Sequence, residues 1–395
     1  MAPLKVIQVI TSTAERYGGP QRVVRNLCEG LVARGHRISL VTTDLDGSAR
    51  LQECDVQRAF GPEVDTSVSR TLWPRSYGFA PSLVSELQAR LHETDLVHVH
   101  GIYQFHTVAA CALARRHSVP YVVDVHGALT SYHRSKKAWK KRPYERLVER
   151  RNLECAGAAI VMTRAEKQSF TDWLPGARTM VIPPAIDSAL FQRGEVHTGV
   201  LEPLPESATL ITFLGRLTEK KRLDVLLDAF WRLQQSIHGV HLVIAGPDDE
   251  GIGSGLQREA TRLGIGDRVS LIGLVTGEAK RELLSASRIV ALPSEDESFG
   301  MAIAEALAVG TPVVITREVG LAEDILEEEA GRVVSRDGAA FAGAMAELLT
   351  DATTWSNMAE RGRRFAQRSF TGEAVIANFE SLYGDLCSQR GDGRD

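Results

Sequence analysis

Residues 290–316 have the sequence VALPSEDESFGMAIAEALAVGTPVVIT, which combines an apolar strand, a polar loop, a helix and a second apolar strand. Pro293 ends the first strand. The apolar spacing after Gly300 predicts a helix that stops at Gly310, because glycine is common just past helix C-termini. The second strand is Val313-Val314-Ile315. A unit of this kind predicts a parallel α/β sheet, whose ligands bind at the carboxyl ends of the strands.

Two glutamates, Glu297 and Glu305, lie in the loop and about one turn into this helix. Between them the backbone N–H groups of residues 298–302 form a helix N-terminus, which favours an anion such as a phosphate. Gly300 lets a ligand approach the backbone closely. Carboxylates do not bind phosphate, but they accept hydrogen bonds from hydroxyl groups. The stretch therefore predicts a site for a pyrophosphate flanked by sugar hydroxyls, which is a nucleotide-sugar.

Glu297 and Glu305, with a Ser-Phe-Gly between them and Gly-Thr-Pro-Val-Val after them, resemble the signature of glycosyltransferase family 4. The resemblance covers nearly the whole chain and is strongest from 210 to 325. It implies that Glu297 faces the donor sugar and that Glu305 binds the ribose. It also implies that the pyrophosphate is held at the helix start, by Ser298, Phe299, Gly300 and Met301.

A second motif follows the strand predicted at 210–214, where Arg216 is succeeded by Lys220 and Lys221. An arginine at a strand end with a lysine about five residues on would place two cations over one anion, and both suit pyrophosphate. The motif resembles a family pattern in which Lys221 takes the lysine position, with Lys220 as the near rival. Arg222 stands where the family has glycine.

Two further donor contacts are expected. Gly18 and Gly19 come at a strand-to-helix turn, where a phosphate can meet backbone N–H groups, although a glycine pair also makes a plain tight turn. The family has a glycine loop at this place that meets the donor phosphate. Leu274 falls where the family's backbone brackets the base.

Three histidines lie on strands predicted in the first half of the chain. His98 and His100 alternate within one strand, where buried histidines are most often hydrogen-bonded core residues. His126 ends the next strand, just before a glycine, where sites form. The family resemblance gives His126 a place beside the acceptor and the donor sugar, so we expect it to orient the acceptor hydroxyl or to bind the donor sugar.

No metal is expected. The three histidines have no carboxylate at ligand spacing in the sequence. Asp44 and Asp46 form an Asp-x-Asp sequence, which is a metal motif in another glycosyltransferase fold, but they follow the second predicted strand and are expected to form a surface turn. The nucleotide-sugar is a co-substrate, so the sequence predicts no cofactor.

The densest basic charge lies in residues 131–151, SYHRSKKAWKKRPYERLVERR. This segment can be a solvated face, a surface that meets anionic lipid head groups, or a grip on a phosphorylated acceptor. Basic residues with aromatics can also indicate nucleic acid, but the acidic overall charge and the enzyme signature argue against that partner. The first 200 residues carry 26 Lys and Arg against 19 Asp and Glu, and the rest carry 20 against 31.

The composition predicts a globular enzyme of two domains. The 395 residues exceed one ordinary domain, and 44% hydrophobic with 24% charged residues is typical of such enzymes. We expect neither a secretory signal nor a spanning helix. Five scattered cysteines indicate reduced thiols. The expected location is therefore the cytoplasm, with a possible peripheral position on the inner face of the membrane.

The predicted fold is α/β, with two Rossmann-like domains facing across a cleft, which is the GT-B fold. An acceptor-side domain is expected at 1–195, a nucleotide-sugar domain at 205–370, and a C-terminal helix at 371–390 that returns to the first domain. Residues 47–80 show mixed charge and scattered aromatics, and we expect irregular structure there.

The resemblance implies a retaining, metal-independent hexosyltransferase that uses a nucleotide-sugar. His126, Glu297, Arg216 and Lys221 are the expected catalytic residues. The expected acceptor is a lipid-linked or cell-envelope glycan, and the alternative is a small molecule such as a cyclitol, a thiol precursor or a natural product. Two other classes stay open, a sugar-nucleotide epimerase and a non-catalytic partner protein.

Overall fold

The structure is a computed structural model that describes residues 2–17, 19–128, 142–192, 194 and 197–391. The chain divides into two compact units, residues 1–185 with 372–395 and residues 186–371. Each unit contains its own parallel sheet, and this confirms the predicted class of two Rossmann-like α/β domains. Among the described residues, none of the helices has the length and apolar character needed to cross a bilayer.

The first unit is built on a sheet in the order β5-β2-β1-β6-β7-β8-β9, in which all neighbours are parallel. Its central strands are buried on both faces, as expected of a parallel sheet covered by helices on both sides. The short β3 and β4 form a separate antiparallel hairpin. The strands are β1 (Lys5–Ile10), β2 (Arg37–Thr43), β3 (Leu45–Asp46), β4 (Ala49–Arg50), β5 (Val64–Ser69), β6 (Leu96–His100), β7 (Tyr121–Asp124), β8 (Ala158–Val161) and β9 (Thr179–Val181).

Helices cover the two faces of this sheet, and two separate apolar clusters form there. A five-residue π-helix, Glu145–Glu149, lies directly before a short α-helix. The α-helices, in chain order, are α1 (Gly19–Ala33), α2 (Glu53–Phe60), α3 (Ser82–Leu91), α4 (Phe105–Arg116), α5 (Arg150–Glu154) and α6 (Arg164–Trp173).

The second unit has a parallel sheet in the order β12-β11-β10-β13-β14-β15. Its strands are β10 (Thr209–Leu214), β11 (Val240–Ala245), β12 (Val269–Gly273), β13 (Ser287–Leu292), β14 (Val313–Thr316) and β15 (Gly331–Val334). Its helices are α7 (Leu223–Gln234), α8 (Gly253–Arg262), α9 (Gly277–Ala286), α10 (Met301–Val309), α11 (Ala322–Glu327), α12 (Gly338–Thr350) and α13 (Ala352–Phe370).

The last helix, α14 (Gly372–Gly391), belongs to the first unit. Its Tyr383 is fully buried, and the tyrosine hydroxyl lies 2.7 Å from His98 Nδ1 on β6. Glu380 reaches the Nε2 atom of His36 at 2.9 Å. Apolar residues of α14 complete one core cluster of this unit, so the helix covers one face of the first sheet.

Two expectations differ from the structure. Residues 47–80 are not irregular throughout, because they contain α2 and the edge strand β5, which runs parallel to β2. The buried Val56 and Phe60 anchor α2, and the mixed charge around them hides this spacing in the sequence. The unit boundary falls at residue 185 instead of 195, because Ile186 N donates to the carbonyl oxygen of Phe370 at 3.0 Å within the second unit.

Candidate active site

The loop between β13 and α10 is held at the carboxyl edge of the second sheet by hydrogen bonds on both sides. The hydroxyl of Ser294 and the N–H of Glu295 both donate to the carbonyl oxygen of Lys220, at 3.2 and 2.9 Å. Thr316 Oγ1, at the end of β14, donates to the carbonyl oxygen of Ser294 at 2.5 Å. These bonds tie the loop to the segment after β10 and to the end of β14.

Glu297 is fixed by its backbone and paired through its side chain. Its N–H donates to the carbonyl oxygen of Glu318 at 3.2 Å, and its own carbonyl accepts from the N–H of Gly320 at 2.8 Å. Its carboxylate forms an ion pair with the ammonium group of Lys221. The structure therefore brings together the glutamate expected at the donor sugar and the lysine expected at the pyrophosphate.

Lys221 is the buried member of the lysine pair. Burial, and then the neighbouring charge of Lys220, lower the pKa of Lys221 to about 8, while Asp296 acts in the opposite direction. Lys220 is more exposed, and its ammonium lies 3.7 Å from the carboxylate of Asp296. Because Lys221 is the lysine that contacts Glu297, it is the better candidate for a ligand cation than its rival Lys220.

Arg222 explains how the chain departs from the family pattern. It has φ 52° and ψ 46°, in the left-handed region that glycine adopts most easily. Its guanidinium contacts both carboxylate oxygens of Asp224, at 2.9 and 2.7 Å. Arginine therefore keeps the turn that a glycine would form, at a backbone cost of roughly 1–2 kcal/mol.

Arg216 follows β10 at the same edge of the sheet. Its side chain is more than half exposed, and its guanidinium lies 2.9 Å from the carboxylate of Asp249. The backbone beside it is packed closely, since a Cβ on Gly246 would lie 1.8 Å from the carbonyl oxygen of Gly215. Gly246 N donates to the carbonyl oxygen of Gly273 at 2.7 Å. The carboxyl ends of β10, β11 and β12 are therefore in close contact next to Arg216.

The N-terminus of α10 lies directly after Glu297. Gly300 has φ 101°, and a Cβ there would meet a valine side chain at 3.0 Å, so the turn requires glycine. Phe299 is buried against Phe370, with ring centroids 5.6 Å apart, while Ser298 is half-buried. Met301 begins the helix, and the residue at the N-cap position, Gly300, has no side chain that could cap it. The first N–H groups of α10 can therefore serve an anion.

Glu305 lies one turn into α10 and is buried. Its Oε1 atom is 2.5 Å from Nζ of Lys280, which lies in the first turns of α9 and is itself largely buried. A buried carboxylate needs such a partner to stay ionised. The glutamate expected to bind ribose is thus held by a lysine that the sequence analysis did not single out.

Leu274 follows β12 and Gly273, whose φ is 72°. Its side chain is 70% exposed, which is unusual for a leucine. It therefore presents an apolar surface at the carboxyl edge where the resemblance places the base.

The first unit has a cavity of about 240 Å³ at the carboxyl ends of β1, β6 and β7. Hydroxyl, amide and imidazole groups line it together with apolar side chains. The described lining residues are Ile10, Thr11, Ser12, Tyr17, Pro20, Gln21, Leu45, His100, Gly101, Ile102, Gln104, Val125, His126 and Ala128. A cavity that combines apolar walls with hydroxyl, amide and imidazole groups can hold a small molecule that has a carbon ring and hydroxyl groups.

His126 takes part in a hydrogen-bonded chain beneath this cavity, and its backbone has φ 46°. His100 Nε2 lies 2.7 Å from Gln8 Oε1, which only accepts, so this nitrogen carries the proton. His100 Nδ1 is then an acceptor and faces His126 Nε2 at 3.3 Å. His126 Nδ1 lies 3.3 Å from Asp124 Oδ1. Both ring nitrogens of His126 therefore already have partners inside the unit.

Burial determines the protonation of this chain. It lowers the pKa of His126 to about 4 and raises the pKa of Asp124 to about 7. His126 is therefore neutral near pH 7, and the protonated form of Asp124 can donate to its Nδ1. This arrangement fixes one tautomer of His126, and its expected contact with the acceptor hydroxyl or the donor sugar stays a prediction.

The structure places a carboxylate beside the histidines, although none was expected at ligand spacing from the sequence. Ligand atoms of His98, His100 and Asp124 all lie within 4.8 Å of one another, because β6 and β7 pair His100 with Asp124. Two strands that are distant in sequence are adjacent in the sheet, so sequence spacing could not show the cluster. The expected surface turn at Asp44 is wrong, since Asp44 is buried and accepts from Thr71 N at 2.8 Å.

Two predicted features lie wholly or partly outside the described residues. Gly18 is one of them, while its neighbour Gly19 begins α1, just before Pro20 and Gln21 of the cavity lining. Of the basic segment, residues 131–141 also lie outside the described part. The predicted donor motif at the start of α1 is thus placed only through Gly19.

Two family models match the chain. The model described as "Glycosyl transferases group 1" matches residues 202–365, and the one described as "Glycosyl transferase 4-like domain" matches residues 18–185. A protein of Xylanimonas cellulosilytica named as a D-inositol 3-phosphate glycosyltransferase is 30% identical over 324 residues, which cover 77% of this chain and 76% of that one. The chain belongs to glycosyltransferase family 4.

Other relatives of this glycosyltransferase agree with the assignment. A protein of Salinispora tropica, also named as a D-inositol 3-phosphate glycosyltransferase, is 30% identical over 319 residues, and the match spans 75% of this chain and 64% of that relative. The crystal structure of Anabaena HepE in complex with UDP-glucose aligns with a TM-score of 0.72 at 20% identity, over 97% of this chain and 100% of the other. At that identity the likeness shows a common fold.

In this glycosyltransferase the predicted donor residues of the second unit all lie around the carboxyl edge of one sheet. The structure joins Glu297 to Lys221, whereas Arg216 stays exposed beside Asp249. It adds Lys280, which the sequence reasoning missed. A lysine in the first turns of the helix after β12 was the available signal, because that helix starts at the same edge as α10.

Proposed function

We propose that this glycosyltransferase is a retaining, metal-independent hexosyltransferase whose nucleotide-sugar donor is bound by the second unit. One observation carries the proposal, which is the arrangement of two carboxylate–lysine pairs around the uncapped N-terminus of α10. Lys221 and the helix N-terminus supply positive charge for a pyrophosphate. Glu297 and Glu305 supply acceptors for hydroxyl groups, one for the sugar and one for the ribose.

Charge on the leaving phosphate would be stabilised by protein groups in place of a divalent ion. Arg216 can exchange Asp249 for a phosphate oxygen, because its side chain is largely exposed. Lys221 can give up Glu297 in the same way when the donor sugar engages that glutamate. Preorganised cations and helix N–H groups of this kind are effective at stabilising developing negative charge.

In the proposed reaction the bond between the anomeric carbon and the leaving phosphate breaks, and a bond from the acceptor oxygen forms on the same face of the sugar. The leaving phosphate takes the acceptor's proton. The state of His126 supports this choice of base, because both its ring nitrogens have partners and burial lowers its pKa to about 4. A glycosyl-enzyme adduct detected by mass spectrometry would contradict this step.

We further propose a uridine nucleotide as donor and a small polyhydroxylated acceptor. HepE binds UDP-glucose in a related fold, and relatives are named for D-inositol 3-phosphate. The cavity of about 240 Å³ in the first unit lies below the roughly 300–1,000 Å³ typical of drug-sized ligands, so a single ring would suit it. These observations favour the small-molecule acceptor over the lipid-linked or envelope glycan.

The cytoplasm remains the proposed location. Its support is that the five cysteines are free thiols, as expected in a reducing compartment.

The test is a transfer assay with UDP-hexoses and a panel of acceptors that includes myo-inositol, inositol phosphate, free monosaccharides and a lipid-linked sugar. UDP release that depends on a one-ring acceptor, unchanged by EDTA, is expected. NMR of the product should show that the anomeric configuration of the donor is kept. Lys221→Met and Glu305→Gln should remove the activity, because each deletes one charge of the donor site.

The same assay separates the other classes. Conversion of the sugar-nucleotide without any acceptor would indicate an epimerase. Absence of both conversion and donor binding would indicate a non-catalytic partner protein. Transfer to the lipid-linked sugar alone would replace the proposed acceptor class.

A further inference from the structure

The helical segment at residues 142–154 has buried acidic residues on one side and exposed basic residues on the other. Two of its acidic residues, Glu145 and Glu149, are buried. Tyr103 N donates to Glu149 Oε1, and the hydroxyl of Tyr103 donates to Glu145 Oε1, both at 2.6 Å. The carboxylates are therefore committed to holding the loop before α4 and do not contribute to the outer surface.

The outward side of this segment is basic and carries one large apolar side chain. Leu147 is 76% exposed, and it has arginines on both sides along the helix. The partly or fully exposed basic residues are Arg142, Arg146, Arg150 and Arg151. Glu154 offsets one of them, since its carboxylate lies 3.6 Å from Arg150. The outward side thus keeps a net positive charge.

A second apolar element lies next to this helix. The hydroxyl of Tyr77 is 2.8 Å from that of Tyr144, and their rings meet edge to face at 6.3 Å. Tyr77 closes a loop in which Trp73 is 88% exposed and Leu72 is 47% exposed. A tryptophan this open to solvent is unusual, because large aromatic side chains are on average well buried.

We propose that Leu72, Trp73, Leu147 and the neighbouring arginines form a docking surface for an anionic lipid bilayer, here named the docking surface. Tryptophan is favoured at membrane interfaces, where one part of the ring is apolar and another part is polar. Arginines beside it complement anionic head groups, and neither signal alone is enough for stable attachment. This inference concerns where the enzyme works and does not depend on the proposed donor or acceptor.

The charge pattern favours lipid over a carbohydrate partner. A sugar platform needs an aromatic face with nearby hydrogen-bonding groups, whereas Trp73 is accompanied by the aliphatic side chains of Leu72 and Leu147. The basic helix gives no advantage toward a neutral glycan. Both features fit a bilayer that carries negative charge.

The test is flotation of the purified full chain with vesicles of phosphatidylcholine alone or with about one third phosphatidylglycerol. Binding to the anionic vesicles is expected, and it should fall in raised salt because head-group contacts are screened. Leu72→Ser with Trp73→Ser should weaken binding by at least about tenfold. Arg142→Gln with Arg146→Gln should act similarly and should also reduce the salt dependence.

Leu326→Ser is the matched control, because it also removes an exposed leucine (55% exposed) but lies in the second unit. This substitution should leave vesicle binding unchanged. Substitutions at these exposed positions should not alter the melting temperature. Measuring the melting temperature of each variant therefore checks that it is folded. A second readout is quenching of tryptophan fluorescence by brominated lipid, which should drop in Trp73→Phe. The proposal is overturned if wild type ignores anionic vesicles, if the docking-surface variants bind like wild type, or if Trp73→Ser changes only the KM for an acceptor.

Discussion

The low pKa of Lys221 predicts a distinct pH dependence of donor binding. The perturbation is a rise in pH from 7 to 9.5, measured with UDP as the ligand. Burial lowers the pKa of Lys221 to about 8 in the free protein, so only about one tenth of the molecules carry the ammonium at pH 9. A bound pyrophosphate would restore the proton, because an opposite charge nearby favours the charged form.

The magnitude follows from this linkage. If binding requires the ammonium, the Kd for UDP should rise about fivefold from pH 8 to 9 and then approach about tenfold per pH unit, or about 1.4 kcal/mol per unit. Between pH 7 and 8 it should change by only about twofold. The phosphates of UDP do not titrate in this range, since the last phosphate pKa is near 6. Proton uptake on binding should therefore appear above pH 8.

Isothermal titration calorimetry at several pH values, in two buffers of different ionisation enthalpy, measures both quantities. Lys221→Arg should remove the slope, because arginine stays charged throughout. Lys220→Arg is the matched control and should keep it, as Lys220 is the more exposed lysine. A Kd that stays constant from pH 7 to 9.5, or a slope that survives in Lys221→Arg, would refute the reasoning.

Three further predictions test other parts of the account. Gly246→Ala should lower the urea midpoint strongly, because its Cβ would lie 1.8 Å from a backbone carbonyl. Gly239→Ala, with positive φ but open space, should cost only about 1–2 kcal/mol. Lys280→Met should reduce the preference for UDP over 2′-deoxy-UDP by roughly tenfold, because Glu305 loses its ion pair with Lys280 and is no longer held in place for the ribose. Lys280→Met combined with Glu305→Gln should recover stability but not this preference, and an unchanged preference in Lys280→Met would contradict the role. Asp124 has a raised pKa of about 7, so the stability it contributes is present below pH 4 and lost as pH rises through 7. Asp124→Asn should therefore flatten the fall in melting temperature between pH 4 and 7.

The strand and helix pattern of the second unit could be predicted well from sequence. The stretch 290–316 contains an apolar strand, a glycine-ended helix and a second apolar strand, and the structure has all three at nearly the same residues. Here local signals and tertiary packing agree, because a parallel strand buried on both faces needs an unbroken apolar run.

Prediction failed where local and long-range signals differ. The edge strand β5 contains only two hydrophobic residues in VDTSVS, and its pairing with β2 decides its conformation. The contacts of Glu305 with Lys280 and of His100 with Asp124 join residues that are 25 and 24 positions apart. Such pairs follow from sheet order and helix placement, which no local spacing reveals.

The left-handed backbone of Arg222 shows a second limit of prediction from sequence. Its position suggests the glycine of the family pattern, yet the side chain itself disfavours φ 52°. The surrounding turn fixes the backbone, and the bidentate contact with Asp224 partly offsets the strain. The sequence shows that arginine replaces the family's glycine at position 222, but it does not show whether the left-handed turn is kept.

The most direct test of the central claim is a thermal-shift screen of the protein with UDP-, GDP-, ADP- and dTDP-sugars, with and without EDTA. The account predicts that one donor, a UDP-hexose, raises the melting temperature by about 5 °C or more at a hundredfold excess over Kd. EDTA should leave the shift unchanged, and Glu305→Gln should reduce it by about half, because a tenfold weaker Kd has that effect at this donor concentration. No shift with any donor, or an equal shift in Glu305→Gln, would contradict the donor site described for α10.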